Sequence, residues 1–168
     1  MLKDKSKINS DLTKLIKQYK KCIGKYEKMF KLTKLQQEII TKKKYTELKK
    51  IVNKKQNIIN ETDELQTRIN ILRKQLSDNL DIINDEKFIE NLLQKNVPYK
   101  NKLKKIKEYI TRLITKIKKI DEENEKKLNN RKEELKEELS QLINGKKIFD
   151  SYNTKSNNQE GKFFDNKG

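Results

Sequence analysis

The feature that most restricts the fold is a lysine-rich turn between two stretches in which apolar residues recur every seven positions. The turn, Thr41–Lys44, lies within the segment Thr33–Leu65. A seven-residue apolar period is typical of helices that pack side by side, and a connection of a few residues makes consecutive helices antiparallel neighbours. The segment therefore predicts a helical hairpin, and nothing in it indicates catalysis.

The same period extends on both sides of the hairpin and predicts the rest of the fold. Helices are expected over residues 11–40, 45–76, 85–95 and 98–144. Ser10 or Asp11 is placed to cap the first helix, and Gly145 is placed to end the last. We expect an all-α fold, an elongated antiparallel helical bundle or coiled coil of three long helices and one short helix over residues 1–148. A flexible tail that contains aromatic residues is expected over residues 149–168.

The third long helix carries the most regular apolar row, which consists of Tyr99, Leu103, Ile106, Ile110, Leu113, Ile117 and Ile120. At Asn124 the register slips, because Asn124 and Arg131 stand where apolar residues would be expected. Leucines continue one row beyond the slip, at positions 128, 135 and 142, with Leu139 beside them. Such a slip indicates either a change of packing partner or a solvent-exposed extension.

The composition agrees with narrow helical seams and argues against an enzyme. Hydrophobic residues make up 32% of the 168 residues and charged residues 40%, which suits long helices better than a broad core. Such polarity is also typical of disorder, but the sustained apolar period argues against disorder for most of the chain. The chain has no histidine, one cysteine (Cys22) and four isolated glycines. We therefore expect no catalytic site, no metal and no cofactor, and a buried Cys22.

The terminal and apolar stretches of the sequence predict a cytoplasmic protein. No run of about 18 apolar residues is present, and such a run is what a transmembrane helix needs. The first residues carry charge without the apolar stretch of a secretory signal.

The net charge of +17 has two explanations that the sequence leaves open. A chain this basic could bind nucleic acid or an anionic membrane face. Only four of its 42 basic residues are arginine, however, whereas proteins that read nucleic acid usually depend on arginine. Lysine, asparagine and isoleucine are abundant together, and all three have A/T-rich codons, so genome composition is the favoured explanation and nucleic-acid binding is disfavoured.

The chain resembles a known protein family over almost its whole length. Two parts of the sequence carry most of this resemblance. The segments Leu32–Ile40, Tyr45–Leu48 and Lys54–Ile59 resemble the first helix, turn and second helix of the FlgN/FliT-type flagellar export chaperones. The end of the chain resembles the closing helix, tyrosine and tail of clostridial-type members, in the segments Leu142–Lys147, Tyr152 and Phe163–Lys167. The strongly basic balance departs from the family pattern.

The resemblance implies a cytosolic helical-bundle chaperone that holds the C-terminal helix of a flagellar hook–filament junction or cap protein before export. An amphipathic client helix can complete a bundle as one more member. We predict that the third long helix binds it, mainly beyond the slip, through Leu128, Leu135, Leu139, Leu142, Ile117 and Ile120. The alternative for Ile117 and Ile120 is that they belong to the hydrophobic core.

The aromatic residues of the tail are predicted to take part in docking. The resemblance implies that Tyr152 helps to bring the loaded chaperone to the flagellar export gate. Phe163 and Phe164 stand at the end of a polar tail, where they either dock onto a partner or pack back onto the bundle. Two other functions stay open for the whole chain, a lysine-rich coiled coil that binds nucleic acid and a structural module that self-associates; a monomer and a homodimer are both compatible with the sequence.

Overall fold

The computed structural model describes residues 5–160, with side chains described over residues 5–151. This part of the chain contains α-helices and one short 3-10 helix, and it contains no strand. The helices are α1 (Lys5–Thr41), α2 (Leu48–Leu80), α3 (Phe88–Gln94) and α4 (Lys100–Glu160), with the 3-10 helix at Tyr45–Glu47. The prediction of an all-α fold with three long helices and one short helix is confirmed.

The chain divides into two compact units, Met1–Asn124 and Glu125–Gly168, which we call the N-terminal unit and the C-terminal unit. The N-terminal unit contains α1, α2, α3 and residues 100–124 of α4. The C-terminal unit contains residues 125–160 of α4. The register slip in the sequence thus falls at the last residue of the N-terminal unit, Asn124.

The predicted hairpin is formed by α1 and α2, which pack against each other. Just past the end of α1, Lys43 is in the left-handed backbone region (φ 58°), and the N–H of Lys44 donates to the carbonyl of Ile39 at 3.0 Å. This hydrogen bond and the one from Lys43 to Ile40 form the two-bond pattern by which helices often end. A left-handed residue at this position is most often glycine, because side chains crowd the backbone there.

Several helix ends differ from the predicted ends: α2 spans Leu48–Leu80 instead of 45–76, and α3 spans Phe88–Gln94 instead of 85–95. α1 begins at Lys5 instead of residue 11, because Ile8 is buried against the main core and keeps the preceding turn helical. Asp11, predicted as a cap, lies inside the helix and is buried. α4 begins at Lys100, since Tyr99 takes a left-handed conformation (φ 66°).

The other end of α4 lies at Glu160, so the predicted end at Asn144 is wrong. Gly145 is inside the helix and not in the left-handed conformation of a terminating glycine. A glycine inside a helix costs only about 1 kcal/mol relative to alanine, and the polar residues after it are compatible with a helix. Part of the segment predicted as a flexible tail, residues 149–160, is therefore helical, whereas residues 161–168 lie outside the described residues.

The core of the N-terminal unit joins its four helices. Its fully buried members come from every helix and include Leu12, Leu15, Ile69, Leu76, Phe88, Leu92 and Leu103. α3 supplies Phe88, whose ring also packs under the Arg73 guanidinium, 4.8 Å from its centroid. Cys22 is buried in the same cluster as a free thiol, as predicted, and burial raises its pKa.

Candidate functional site

The predicted client residues of the N-terminal unit, Ile117 and Ile120, lie next to a second and smaller apolar cluster. Ile117 is buried and forms this cluster with Met29 of α1 and Ile58 of α2. Ile120 is half-buried. The chain itself therefore covers most of Ile117, because α1 and α2 already pack against this side of α4.

A cleft of about 260 Å³ opens beside this cluster, between α2 and α4. Its walls are mainly apolar, and its lining includes Met29, Ile58, Ile59, Ile114 and Ile117. A cavity of about 150 Å³ is enough for a benzene molecule. The cleft is thus large enough for one or two apolar side chains and too small for a helix.

A polar contact bounds the cleft at Lys55, which interrupts the seven-residue row of Leu48, Thr62, Ile69 and Leu76. Lys55 Nζ lies 2.5 Å from Asp121 Oδ1 and also donates to Gln36 Oε1 at 3.0 Å. The side chain of Lys55 is only 15% exposed, so its charge is satisfied by partners on both α1 and α4. The interruption in the row is therefore a bridge between three helices, which the sequence pattern alone did not indicate.

The last residue of the N-terminal unit, Asn124, is also a buried polar contact. Its Nδ2 donates to the backbone carbonyl of Thr33 at 3.2 Å, and Thr33 is itself fully buried. Nearby, Gln37 Nε2 donates to Glu123 Oε2 at 3.0 Å. A buried asparagine between helices fixes their register, because a shift would leave its amide without a partner. Asn124 is thus a packing residue of the N-terminal unit.

The C-terminal unit carries the predicted leucines on one side of its helix. Leu128 is half-buried, whereas Leu135, Leu139 and Leu142 are 48%, 58% and 71% exposed. The same seven-residue spacing reaches Phe149, which is also exposed. We call Leu128, Leu135, Leu139, Leu142 and Phe149 the leucine row. Phe149 was missed as a member because the helix was predicted to end at Asn144, although its spacing from Leu142 is visible in the sequence.

Ion pairs within the helix flank the leucine row. Arg131 Nη1 lies 3.0 Å from Glu134 Oε2 and 3.1 Å from Glu138 Oε1, and Lys136 Nζ lies 2.7 Å from Glu133 Oε1. The hydrogen bond from Lys136 lowers the pKa of Glu133, and the hydrogen bonds to Glu134 and Glu138 raise the pKa of Arg131. Two of these pairs, Arg131–Glu134 and Glu133–Lys136, join charges three residues apart, a spacing that supports an exposed helix.

The aromatic residues predicted for docking fall at the edge of the described structure. The backbone of Tyr152 belongs to α4, and its side chain lies outside the described residues. Phe163 and Phe164 also lie outside them. Among residues 5–160, no helix combines the length and the hydropathy that crossing a membrane requires.

Comparison with known proteins identifies the family of the chain. No curated protein and no solved structure matches the chain. The family described as FlgN protein matches residues 5–160, which includes α1 to α4 in full. This match agrees with the resemblance seen in the hairpin and with the all-α fold. The chain is therefore a member of the FlgN family, a family of chaperones for flagellar protein export.

Proposed function

We propose that this chaperone is cytoplasmic and non-enzymatic, and that it binds the C-terminal amphipathic helix of a hook–filament junction or cap protein. The observation that carries the proposal is the leucine row, a line of apolar side chains, all exposed except the half-buried Leu128, on a helix that is otherwise mostly charged or polar. An export client stays unfolded until it is secreted, so its amphipathic segment would expose an apolar face. The leucine row offers that face a partner, in the manner of a helix that completes a bundle.

The energetics of such a contact suit a client that has to be released. Burying one exposed leucine contributes about 1.5–3 kcal/mol, so several leucines together give a substantial gross gain. Ordering a disordered client segment costs about 2–5 kcal/mol or more, and association has its own entropy cost. We therefore expect dissociation constants near the micromolar range, which correspond to about 8 kcal/mol.

The other predicted contact residues are proposed either to contribute less to client binding or to act in docking. In the N-terminal unit, Ile117 is already covered by Met29 and Ile58, so the cleft beside it and Ile120 offers a client one or two side-chain positions at most. Tyr152, Phe163 and Phe164 are proposed to dock the loaded chaperone to the export gate. The unloaded chaperone is proposed to be a monomer or a homodimer.

The proposal is tested by titrating the full chain into labelled peptides from the C-termini of junction and cap proteins of the same organism. The test variant is L135A/L139A, which removes two exposed members of the leucine row. The matched control is Ile148→Ala, because Ile148 is 58% exposed, as Leu139 is. Ile148 comes nine residues after Leu139, which places it on about the opposite side of the helix at 3.6 residues per turn.

The double variant is expected to bind at least about tenfold more weakly, since it loses several buried methylene groups at about 0.8 kcal/mol each. The control is expected to bind within about twofold of the unchanged chain, and helicity should be preserved in both because the replaced side chains are exposed. Absence of binding to every peptide, or an equal loss in the control, would contradict the proposal. Light scattering without peptide identifies the competing case, in which the leucine row pairs two copies and the double variant breaks a dimer.

A further inference from the structure

The turn between α1 and α2 carries a cluster of lysines that the proposed chaperone function does not use. Six lysines and one acidic residue stand between Thr41 and Lys54. We call Lys42, Lys43, Lys44, Lys49, Lys50 and Lys54 the turn lysines. All six are exposed.

These positive charges are largely uncompensated within the described part of the chain. Lys42 lies 4.0 Å from Glu38, at the limit of an ion pair. No ion pair joins any of the other five to a described acidic side chain. Lys25, Lys55 and Lys107 each pair with a carboxylate, but other exposed lysines, such as those of α4 at positions 102, 104 and 105, form no ion pair with a described acidic side chain either. The turn differs from them in its run of three consecutive lysines, Lys42–Lys44. The turn therefore combines high charge density with little internal neutralisation.

One of the turn lysines occupies a position that favours a different residue. Lys43 follows the end of α1 and has φ 58°, the backbone conformation that glycine adopts most easily. A lysine there loses stability that glycine would supply, while it keeps three consecutive lysines at the tip of the hairpin. Lysine is thus not the residue that this backbone conformation favours, although its positive charge is favourable next to the C-terminal end of α1.

We infer that this turn is a docking surface for an anionic lipid membrane. Clusters of four to eight basic residues bind anionic headgroups through delocalised attraction, for which the point charge of lysine is sufficient. The arginines that nucleic-acid binding usually requires lie elsewhere, at Arg68, Arg73, Arg112 and Arg131. The turn also presents a half-buried Tyr45 and a 50% exposed Val52 beside the lysines. Tyrosine is enriched at membrane interfaces, and both side chains can enter the headgroup region.

The turn lysines therefore give the chaperone a contact with the membrane that does not involve the client. It holds the chaperone at the inner face of the membrane through charge, so its strength depends on ionic strength and on the fraction of anionic lipid. The lysines lie in the N-terminal unit and the leucine row in the C-terminal unit, so each contact has its own residues. Failure of one therefore does not imply failure of the other.

The test is co-sedimentation of the full chain with vesicles of equal parts phosphatidylglycerol and phosphatidylcholine, and with vesicles of phosphatidylcholine alone. The test variant is K43Q/K44Q/K49Q/K50Q. The matched control is K102Q/K104Q/K105Q/K116Q, which makes the same change of charge at four exposed lysines of α4. A third variant, Lys43→Gly, removes one charge and relieves the left-handed position.

The unchanged chain is expected to bind the anionic vesicles and to dissociate from them as the salt concentration rises. It is expected not to bind vesicles of phosphatidylcholine alone. The turn variant should bind at least about tenfold more weakly, and the α4 control should lose much less. Lys43→Gly should bind a few-fold more weakly although it raises the melting temperature, a combination that a purely structural role of Lys43 does not produce. Equal loss in the turn variant and the control, no binding at low salt, or tighter binding to duplex DNA than to vesicles would overturn the inference.

Discussion

Asn124 Nδ2 donates a 3.2 Å hydrogen bond to the backbone carbonyl of Thr33, 91 residues earlier in the chain. The contact ties α4 to α1 at the point where the N-terminal unit ends. Asn124 is nearly inaccessible, and its Oδ1 has no hydrogen-bond partner among the described residues. The asparagine therefore contributes specificity of register more than stability, because one of its two polar atoms is buried without a partner.

Substitution of Asn124 is expected to separate these two contributions. Asn124→Asp places a carboxylate against the Thr33 carbonyl and should lower the free energy of unfolding by about 2–3 kcal/mol or more at neutral pH. Asn124→Leu removes the unpaired oxygen and should change it by less than about 1 kcal/mol. Urea unfolding followed by circular dichroism measures both, and a leucine variant as unstable as the aspartate variant would show that the hydrogen bond itself is the larger contribution.

Phe88 is expected to be a major contributor to the stability of the N-terminal unit although α3 is short. Its ring is fully buried, so Phe88→Ala should lower the free energy of unfolding by about 3–5 kcal/mol through lost burial and the cavity that remains. The matched control is Phe149→Ala, because Phe149 is 65% exposed and should cost less than about 0.5 kcal/mol. The midpoint of urea unfolding compares the two, and similar midpoints would mean that α3 does not pack as described.

Tyr19 makes stability fall at high pH. Burial raises the pKa of Tyr19 to about 12, against an ordinary value of 10.0, and nearby Arg73 opposes the shift. The folded state thus holds the phenolic proton more tightly than the unfolded state. This contribution is complete below pH 10 and is lost between pH 10 and about 12, amounting to about 2–3 kcal/mol.

Tyr19→Phe isolates this effect from the deprotonation of lysines in the same range. The unchanged chain should lose more stability between about pH 9 and 11.5 than the variant does, as measured by the melting temperature at about half-unit steps. Parallel curves for the two proteins would contradict a buried phenol. The direction of the difference is also informative. If the folded state stabilised the phenolate anion, the unchanged chain would lose less stability at high pH than the Tyr19→Phe variant.

A substitution at Gly145 tests whether α4 continues past its predicted end at Asn144. A methyl group at Gly145 would meet no atom within 4 Å, and the residue has helical backbone. Gly145→Ala should therefore raise helicity and contribute up to about 1 kcal/mol. If Gly145 ended the helix in the left-handed conformation, the same substitution would be unfavourable, so far-UV circular dichroism of the variant distinguishes the two cases.

Much of the fold could be predicted from the sequence because helical packing leaves a periodic signal. Ile51, Ile58 and Leu65, which stand seven residues apart in the second helix, are all buried, and Thr41–Lys44 proved to be the turn. The ends of α1 and α4 were predicted less well. Asp11 and Gly145 have the residue types of a cap and a terminator, but burial of Ile8 and the low cost of an internal glycine outweighed those local preferences.

The candidate site could likewise be predicted only in part from the sequence. The spacing of Leu128, Leu135, Leu139 and Leu142 is enough to place them on one side of a helix. The slip at Asn124 allowed either a new packing partner or an exposed extension, and spacing alone did not decide that most of these leucines are exposed while Ile117 is buried. Exposure depends on where α1 and α2 cover α4, and this is a property of packing between distant segments.

By itself the sequence determined the helical class, the hairpin, the family resemblance and the excess of lysine. These follow from local periodicity, turn chemistry and composition, each of which acts over a few residues at a time. Only the tertiary structure decided that Lys55 bridges three helices, that Asn124 is buried against Thr33, and that most of the turn lysines form no ion pair with a described acidic side chain. The physical reason is that burial and charge compensation depend on groups brought together from far along the chain.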